Sequence, residues 1–230
     1  MSHGSRSTDN SKRSKSAAGS SRSTGRGELT PCGELVSSRV SDALDAAATS
    51  QKLRDIQQHL PVEAFDFDLG RLDDAEITRP ARTNTVAPQQ ESANVMREVD
   101  RVRVVSSQWD IVHVQAAATH LEEHPGSIEF QLVFLGDSLE VVAADSDLAA
   151  GFREIYERTN CEYYRHPDEL SYAPSIYDET VVLELNDGTG VVPAVVTSDD
   201  EAVLRWAERT FERYKHEAEP IDIDALEAAQ

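Results

Sequence analysis

The sequence is poor in cysteine, lysine and aromatic residues, and it has no long apolar run. Two cysteines, Cys32 and Cys161, are too few for a disulfide framework or a structural zinc site. No segment approaches the roughly 18 consecutive apolar residues of a membrane-spanning helix, and the polar N-terminus lacks the pattern of a signal peptide. These absences argue against disulfide-rich secreted proteins and integral membrane proteins. We therefore expect a cytoplasmic protein with no membrane partner.

The charge is strongly acidic and unusually poor in lysine. The 230 residues carry 42 acidic against 22 basic side chains, a formal net charge of -20, and the basic residues divide into 4 lysines and 18 arginines. High salt shortens the screening length and so weakens self-repulsion in such a chain. The composition therefore favours a halophilic, haloarchaeal source over an acidic mesophilic one. Under that interpretation the negative charge says little about partners.

The first 26 residues differ from the rest of the chain. Residues 1–26 are rich in serine and basic residues and nearly free of apolar side chains. Such a segment buries too little apolar surface to offset the cost of ordering, and we predict a disordered tail. A basic arm that contacts nucleic acid is the alternative.

Helical periodicity begins after this tail. Thr30 followed by Pro31 is typical of a helix N-terminus, and apolar residues then recur at helical spacing. A second helix is predicted from about residue 50 to residue 60, where a proline ends it. Residues 27–60 are therefore assigned to helices that pack either on another chain or on the following domain.

A connector and an α/β domain are predicted next. The connector spans residues 61–98 and includes an exposed segment from 79 to 92. Residues 99–220 form the domain and residues 221–230 a short tail. Strands are predicted at Arg101–Ser106, Ile128–Leu135, Cys161–Arg165, Ser175–Tyr177, Val181–Leu185 and Val191–Thr197. Helices are predicted at Asp110–His124, at Asp137–Thr159 with a break near Asp145, and at 201–217 after a capping box that begins at Ser198. This order favours a mixed sheet.

The tetrapeptide Gly136–Leu139 reads Gly-Asp-Ser-Leu and follows an apolar strand. It resembles the signature of the GDSL hydrolases, in which the serine, here Ser138, is the nucleophile. That chemistry needs a histidine base oriented by an acid, and the family's Asp-x-x-His occurs only as Asp110–His113, upstream of the serine. A strand-to-helix turn capped by Asp137 or Ser138 is the favoured interpretation. A serine ester hydrolase using Ser138 remains the alternative function.

A second short motif resembles a zinc-binding pattern. His120–His124 fits the pattern His-x-x-Glu-His of inverted zinc proteases, but no third ligand is identifiable and a solvated helix end is favoured. Cys161 begins an apolar strand, which favours a buried, unreactive thiol. We therefore predict no catalytic residue, metal or cofactor.

Tyrosines and one arginine cluster around the predicted strand meander. Side chains alternate across a strand, so about half of such a cluster can line one pocket. The candidate effector-pocket residues are Tyr163, Arg165, Tyr172 and Tyr177. Amphipathic aromatic rings with one arginine suit a small anionic or apolar effector. An ordinary sheet surface is the alternative.

Several segments together resemble a known regulator family. Residues 27–36, GELTPCGELV, resemble the end of an archaeal winged helix-turn-helix domain, where a wing strand leads into a long helix that often dimerises. Residues 60–61, 65–69 and 72–78 resemble the connector of haloarchaeal regulators of the Fil type. Residues 198–220 are similar to the last helix of the methanogenesis-regulator middle domain in that family.

The resemblance implies a transcriptional regulator whose C-terminal half senses an effector or mediates dimerisation. That half is similar in layout to a phospholipase-D-like unit. The expected fold class is therefore α/β, with an N-terminal helical remnant of a winged-helix domain followed by a phospholipase-D-like mixed-sheet domain. The catalytic His-x-Lys of that fold occurs at none of the seven histidines, which favours a binding module.

The N-terminal segment of this chain differs from that of the family it resembles. The family places a complete helix-turn-helix domain before the position of Gly27, whereas 26 residues of unlike composition precede it here. We expect that the DNA-binding domain was lost by truncation or frameshift, and that DNA is a partner only if it is restored. The implied partners are a second copy or a paralogous regulator, and an unidentified small-molecule effector.

Overall fold

The computed structural model describes residues 30–97, 99–123, 128–188 and 191–226. The chain divides into two compact units, residues 1–40 and 41–230. In the described part of the first unit, the Thr30 hydroxyl accepts a hydrogen bond from the Gly33 amide at 3.2 Å. The predicted N-cap is therefore confirmed, and it opens helix α1 (Pro31–Leu53).

The second helix predicted for residues 50–60 is wrong. Helix α1 continues to Leu53, and residues 54–59 form turns rather than a separate helix. Leu53, Ile56 and Leu60 are nevertheless buried together in the second unit. Their spacing therefore reflects burial in the domain core, and it does not require an unbroken helix.

The second unit is built on a mixed sheet. In chain order its strands are β1 (Glu76–Thr78), β2 (Arg101–Ser106), β3 (Glu129–Leu135), β4 (Asn160–His166), β5 (Tyr172–Tyr177), β6 (Thr180–Leu185), β7 (Val195–Ser198) and β8 (Glu219–Ile221). Within the described residues they form one sheet of eight strands in the spatial order β1-β7-β6-β5-β2-β3-β4-β8. The central strands β2, β3 and β4 are parallel, and every other neighbouring pair is antiparallel.

Helices connect and cover these strands. They are α2 (Ala87–Met96), α3 (Ile111–Glu123), α4 (Ser138–Ala144), α5 (Ser146–Arg158) and α6 (Glu201–Glu217). Three short 3-10 turns lie at Val62–Ala64, Leu69–Leu72 and Ile223–Leu226. Helix α3 joins β2 to β3, and α4 with α5 joins β3 to β4, as crossovers between parallel strands require. No helix of the described residues is long and apolar enough to cross a membrane.

The domain has an apolar core on each face of the sheet. Phe134 and Phe152 belong to the core beneath α2 to α5, whereas Val133 and Trp206 belong to the core beneath α6. Successive residues of β3 thus point to opposite cores. Because both faces are covered, this strand is an almost continuous apolar run rather than an alternating one.

The predicted connector contributes to the domain. Leu72 and Ala75 are buried in the α6 core, and β1 adds an edge strand against β7. The prediction that residues 79–92 are exposed is confirmed for 79–86, which are exposed or partly exposed. It is wrong for 87–92, because helix α2 begins there and Ser92 is fully buried. Helix α2 has little apolar periodicity, so the sequence pattern did not indicate it.

The other predicted strands and helices of the domain are confirmed within a few residues. The predicted break near Asp145 is confirmed, because the Asp145 carboxylate caps α5 by accepting hydrogen bonds from the amides of Asp147 and Leu148.

The prediction that the capping box of α6 begins at Ser198 is wrong. Asp200 is the N-cap of α6, and Ser198 accepts from the Asp200 amide instead. The predicted tail 1–26 lies outside the described residues. Strand β8 ends at the first residue of the predicted tail 221–230, and the last 3-10 turn lies wholly within that tail.

Candidate functional site

A cavity and a cleft adjoin each other beneath helices α2 to α5, beside the carboxyl ends of β2 and β3. The inner cavity has a volume of about 40 Å³ and apolar walls that include Val104, Leu132 and Phe152. The outer cleft, of about 360 Å³, has a more polar lining. Gln108, Trp109 and Glu184 line both. In open α/β sheets, ligands bind at this edge of the parallel strands.

A histidine lies between two carboxylates at this site. Asp110 precedes α3, and its Oδ1 accepts hydrogen bonds from the amides of Val112 and His113, so it caps the helix. The same Oδ1 lies 3.0 Å from His113 Nδ1, and Glu184 Oε1 of β6 lies 3.2 Å from His113 Nε2. Both ring nitrogens are therefore engaged, which links the start of α3 to the middle of the sheet.

These contacts change the pKa of the paired groups. Burial by itself lowers the pKa of His113, but the Glu184 and Asp110 carboxylates outweigh it and the pKa is raised well above 6.5. Burial raises the pKa of Asp110, but the hydrogen bond and charge of His113 give a net lowering below 3.8. The imidazole is thus protonated near neutral pH, so that it donates to both carboxylates.

Tyr177 adds a buried polar group to the wall of the cavity. Its hydroxyl lies 3.1 Å from the Ser92 hydroxyl of α2, and both side chains are buried. Burial raises the pKa of Tyr177. This contact joins α2 to β5 beside His113, so that the polar groups of the site are held by helix and sheet together.

Among the described residues, three buried polar atoms of side chains at the outer cleft have no hydrogen-bond partner. They are Gln89 Oε1, Trp109 Nε1 and Ser138 Oγ, which come from α2, from the loop after β2 and from the start of α4. Ser138 is only 2% exposed. A buried polar atom left unpaired costs about 1–3 kcal/mol. Each of these atoms has almost no solvent-accessible surface, so they lie behind the lining of the cleft and do not face its open space.

The structure separates the four sequence-predicted pocket residues. Tyr177 lines the inner cavity. Tyr163 is buried in the same core, where its hydroxyl donates to the Phe152 carbonyl at 2.8 Å. Arg165 is half-exposed and forms an ion pair with Glu140, and Tyr172 lies in the opposite core against Trp206. The four side chains do not line one pocket.

Sequence reasoning missed Gln89, Trp109 and Glu184. Glu184 did carry a signal, because alternation along β6 places it on the same face as the buried Val182. A carboxylate at an inward position of an apolar strand indicates a buried partner. Gln89 and Trp109 lie in segments without clear periodicity, and nothing in their sequence context indicates the cleft.

The Gly-Asp-Ser-Leu motif forms a turn, as predicted, but without the predicted cap. Gly136 has a φ of 58°, which favours glycine, while Asp137 makes no side-chain cap hydrogen bond. A serine nucleophile needs a hydrogen-bonded base. Ser138 Oγ has no hydrogen-bond partner, and His113 is held by two carboxylates. The relay of a serine hydrolase is therefore not formed at this turn.

The described residues of the zinc-protease pattern and Cys161 lie outside the cavity and the cleft. His120 is buried, with Nδ1 2.6 Å from the Arg97 carbonyl, and His124 lies outside the described residues. No group of three or more metal-ligating side chains occurs in the described part of the chain. Burial raises the pKa of Cys161 to about 12, in agreement with the unreactive thiol expected there.

Fold and site together define a mixed α/β domain with a cavity between its sheet and its helices. Residues 85–217 match the family described as methanogenesis regulatory protein FilR1, middle domain. Because the match spans more than half of the chain, the chain belongs to this family, and it carries the middle domain of a FilR1-type transcriptional regulator. The resemblance of the closing segment to that domain is thereby confirmed.

Comparisons beyond the family are distant. TrmBL2, described as an archaeal chromatin protein with a novel mode of DNA binding, is 13% identical over 82% of this chain and 67% of its own, with a TM-score of 0.47. Phosphatidylserine synthase of Haemophilus influenzae Rd KW20 is 13% identical over 66% of this chain and 40% of its own, with a TM-score of 0.42. At these scores neither similarity supports a conclusion. No curated protein matches.

Proposed function

We propose that this protein is the effector-sensing and dimerisation portion of a transcriptional regulator and does not itself bind DNA sequence-specifically. The observation that carries the proposal is the polar cleft that opens beside an apolar cavity in a regulator middle domain. A site of this kind, apolar with a few convergent polar groups, is typical of small-molecule binding.

Binding fits the chemistry of the site better than catalysis does. His113 is a cation paired with two carboxylates, so it is not a neutral base ready to accept a proton. We infer a phospholipase-D-like layout for the domain without the catalytic His-x-Lys of that fold. The parallel strands β2 to β4 and the antiparallel meander support this inference.

The sensing role is tested by filling the outer cleft, since the inner cavity of about 40 Å³ is too small for a metabolite. Val141 on α4 lines the cleft, whereas Ala144 on the same helix is exposed and does not. We expect a metabolite panel screened by thermal shift in high salt to contain a compound that stabilises the wild type and the Ala144→Trp control. The same compound should no longer stabilise Val141→Trp. A panel without such a compound, or equal stabilisation of both variants, would contradict sensing at this site.

The dimerisation role rests on helix α1. Val36, Val40 and Leu44 recur every four residues and are 62%, 54% and 65% exposed, so they form an apolar stripe along the helix. A long helix gains most of its stability from packing such a face. We assign the stripe to a second copy of the chain, with a paralogous regulator as the other proposed partner.

Light scattering tests this assignment. The double variant Val36→Glu with Val40→Glu places charges on the stripe, whereas Ser38→Glu places one on the opposite side of the helix. We expect the wild type and Ser38→Glu to be dimers and the double variant to be a monomer. A monomeric wild type, or a dimeric double variant, would contradict dimerisation through α1.

The hydrolase alternative has a direct test. The proposed function predicts that the wild type does not hydrolyse a chromogenic short-chain ester faster than buffer. Hydrolysis that is lost in Ser138→Ala would favour the serine hydrolase and would contradict a binding module.

A further inference from the structure

The wall of the outer cleft carries a negative charge that the protein leaves unbalanced. Asp110 and Glu184 both line the cleft, and the one imidazolium of His113 lies between their carboxylates. No lysine or arginine is among the described residues that line the cleft or the inner cavity. Arg165, the arginine that suggested an anionic effector, pairs instead with Glu140. The cleft therefore attracts a cation and repels an anion.

Each of the two carboxylates keeps an oxygen that solvent reaches. Asp110 Oδ1 and Glu184 Oε1 contact the imidazole of His113, whereas Asp110 Oδ2 and Glu184 Oε2 accept no hydrogen bond from a described residue. Neither of these second oxygens is among the enclosed, unpartnered atoms of the described side chains, so each retains accessible surface. The side chain of Asp110 is 37% exposed, against 13% for Glu184. A hydrogen-bond donor in the cleft can thus reach Asp110 Oδ2.

Apolar side chains also line the cleft. Val141 of α4 lines it and is 59% exposed, and Val192, which precedes β7, lines it as well. Trp109 is partly exposed while its Nε1 is buried, so its indole offers the cleft carbon atoms and no donor. The cleft volume of about 360 Å³ admits a compact ligand with an apolar body.

The loss of water on binding decides which polar head fits. A ligand that covers the cleft takes water away from Asp110 Oδ2, and this is costly unless a charged partner replaces the water. An ammonium group supplies both N–H donors and the compensating charge. A hydroxyl group supplies a donor without the charge, and a carboxylate supplies neither.

We infer that the outer cleft binds a compact primary amine, whose ammonium group pairs with Asp110 while its apolar body lies against Val141 and Val192. This inference rests on the proposed sensing function and names the chemistry of its effector. Cyclohexylamine, a cation at neutral pH, is the simplest probe. Cyclohexanol and cyclohexanecarboxylate carry the same ring with a neutral and a negative polar group.

Calorimetric titration at neutral pH with these three compounds tests the inference. The titration uses the lowest salt concentration that keeps the protein folded, because salt screens ion pairs that water can reach. We expect cyclohexylamine to bind, and the alcohol and the carboxylate to bind at least about tenfold more weakly. Added salt should reduce the preference for the amine.

Asp110→Asn tests which group recognises the amine. The asparagine keeps an oxygen that can cap α3 and loses the charge. We expect this variant to bind cyclohexylamine about tenfold more weakly and cyclohexanol as well as the wild type does. Asp200→Asn is the matched control, because Asp200 caps α6 in the same way and does not line the cleft. Its binding of all three compounds should equal that of the wild type.

Two variants of Val141 keep the test valid if Asp110→Asn does not fold. Val141 is exposed, so a charged side chain there should leave the fold intact. Val141→Lys should abolish the preference for the amine, whereas Val141→Glu, of similar size, should retain it.

The amine class would be overturned by cyclohexanol or the carboxylate binding as tightly as cyclohexylamine, or by amine binding that is equal in the two Val141 variants. No amine binding at millimolar concentration would overturn it too. In that case a metabolite whose effect is lost in Val141→Trp would keep the sensing function. Failure of the metabolite panel as well would contradict sensing itself.

Discussion

His113 Nε2 lies 3.2 Å from Glu184 Oε1, and this contact connects helix α3 to strand β6 across the wall of the cavity. Both side chains are largely buried, at 16% and 13% exposed. A buried charge is costly unless it is paired, so each residue depends on the other. The pair therefore links helix α3 to strand β6 at the proposed binding site.

The pairing predicts how stability depends on pH. The folded pKa of His113 is raised above 6.5, so its stabilising contribution is complete below pH 6.5 and is lost as pH rises through the folded pKa. The pKa of Asp110 is lowered, so its contribution is present above pH 3.8 and is lost as pH falls through the folded pKa. Urea denaturation of the wild type should show both losses.

His113→Leu should remove the loss of stability at alkaline pH and lower the free energy of unfolding by about 3–5 kcal/mol at pH 6. The reason is that Glu184, 13% exposed, stays buried without a cation, whereas Asp110, 37% exposed, remains in contact with water. Adding Glu184→Leu should recover part of this loss, as that buried charge is removed. A wild type whose free energy of unfolding does not change above pH 6.5, or a variant with an unchanged slope, would contradict this account.

Gly151 permits the close contact of α5 with α3. A Cβ at this position would lie 2.0 Å from Val114 Cγ1, and a branched side chain held in a core cannot move away freely. We expect Gly151→Ala to lower the free energy of unfolding by about 1–3 kcal/mol, despite the better helix propensity of alanine. Val114→Ala in the same chain should restore part of that stability. A stabilised Gly151→Ala single variant would show that the helices separate easily.

The two cysteines should differ in reactivity. Burial raises the pKa of Cys161 to about 12, whereas Cys32 is exposed. The thiolate is the reactive form, so maleimide at pH 8 should label Cys32 rapidly and Cys161 very slowly. Mass spectrometry of Cys32→Ser should show little labelling in the native state and full labelling in urea. Rapid native labelling of that variant would contradict the raised pKa of the partly buried Cys161.

Trp206 attaches the segment before β1 to helix α6. Its indole N–H donates to the Ala64 carbonyl at 2.7 Å, and Phe65 and Phe67 pack edge-on against its ring. Trp206→Phe should lower the free energy of unfolding by about 1–3 kcal/mol, since it loses a hydrogen bond and leaves space. Trp109→Phe is the matched control, because its N–H has no partner to lose. Equal losses in urea denaturation would contradict a role for the Ala64 contact.

Local sequence patterns were sufficient to predict those elements in which the pattern is strong. The apolar run of β3, the periodicity of α6 and the break at Asp145 each follow from burial or capping within one segment. Helix α2 and strands β1 and β8 were not predicted. They are short, and they depend on partners that are distant in the chain: β1 pairs with β7, and β8 pairs with β4.

The sequence by itself determined the class of fold, the acidic character and the resemblance to the regulator family, because each depends on composition or on the order of local segments. Only the tertiary structure decided which side chains meet. Tyr177 and Tyr172 lie on one strand five residues apart, and alternation sends them to opposite cores. His113 and Glu184 come together because β6 joins the sheet through β5, beside β2 and beneath α3. Contacts between distant segments depend on strand order and register, which no single segment encodes.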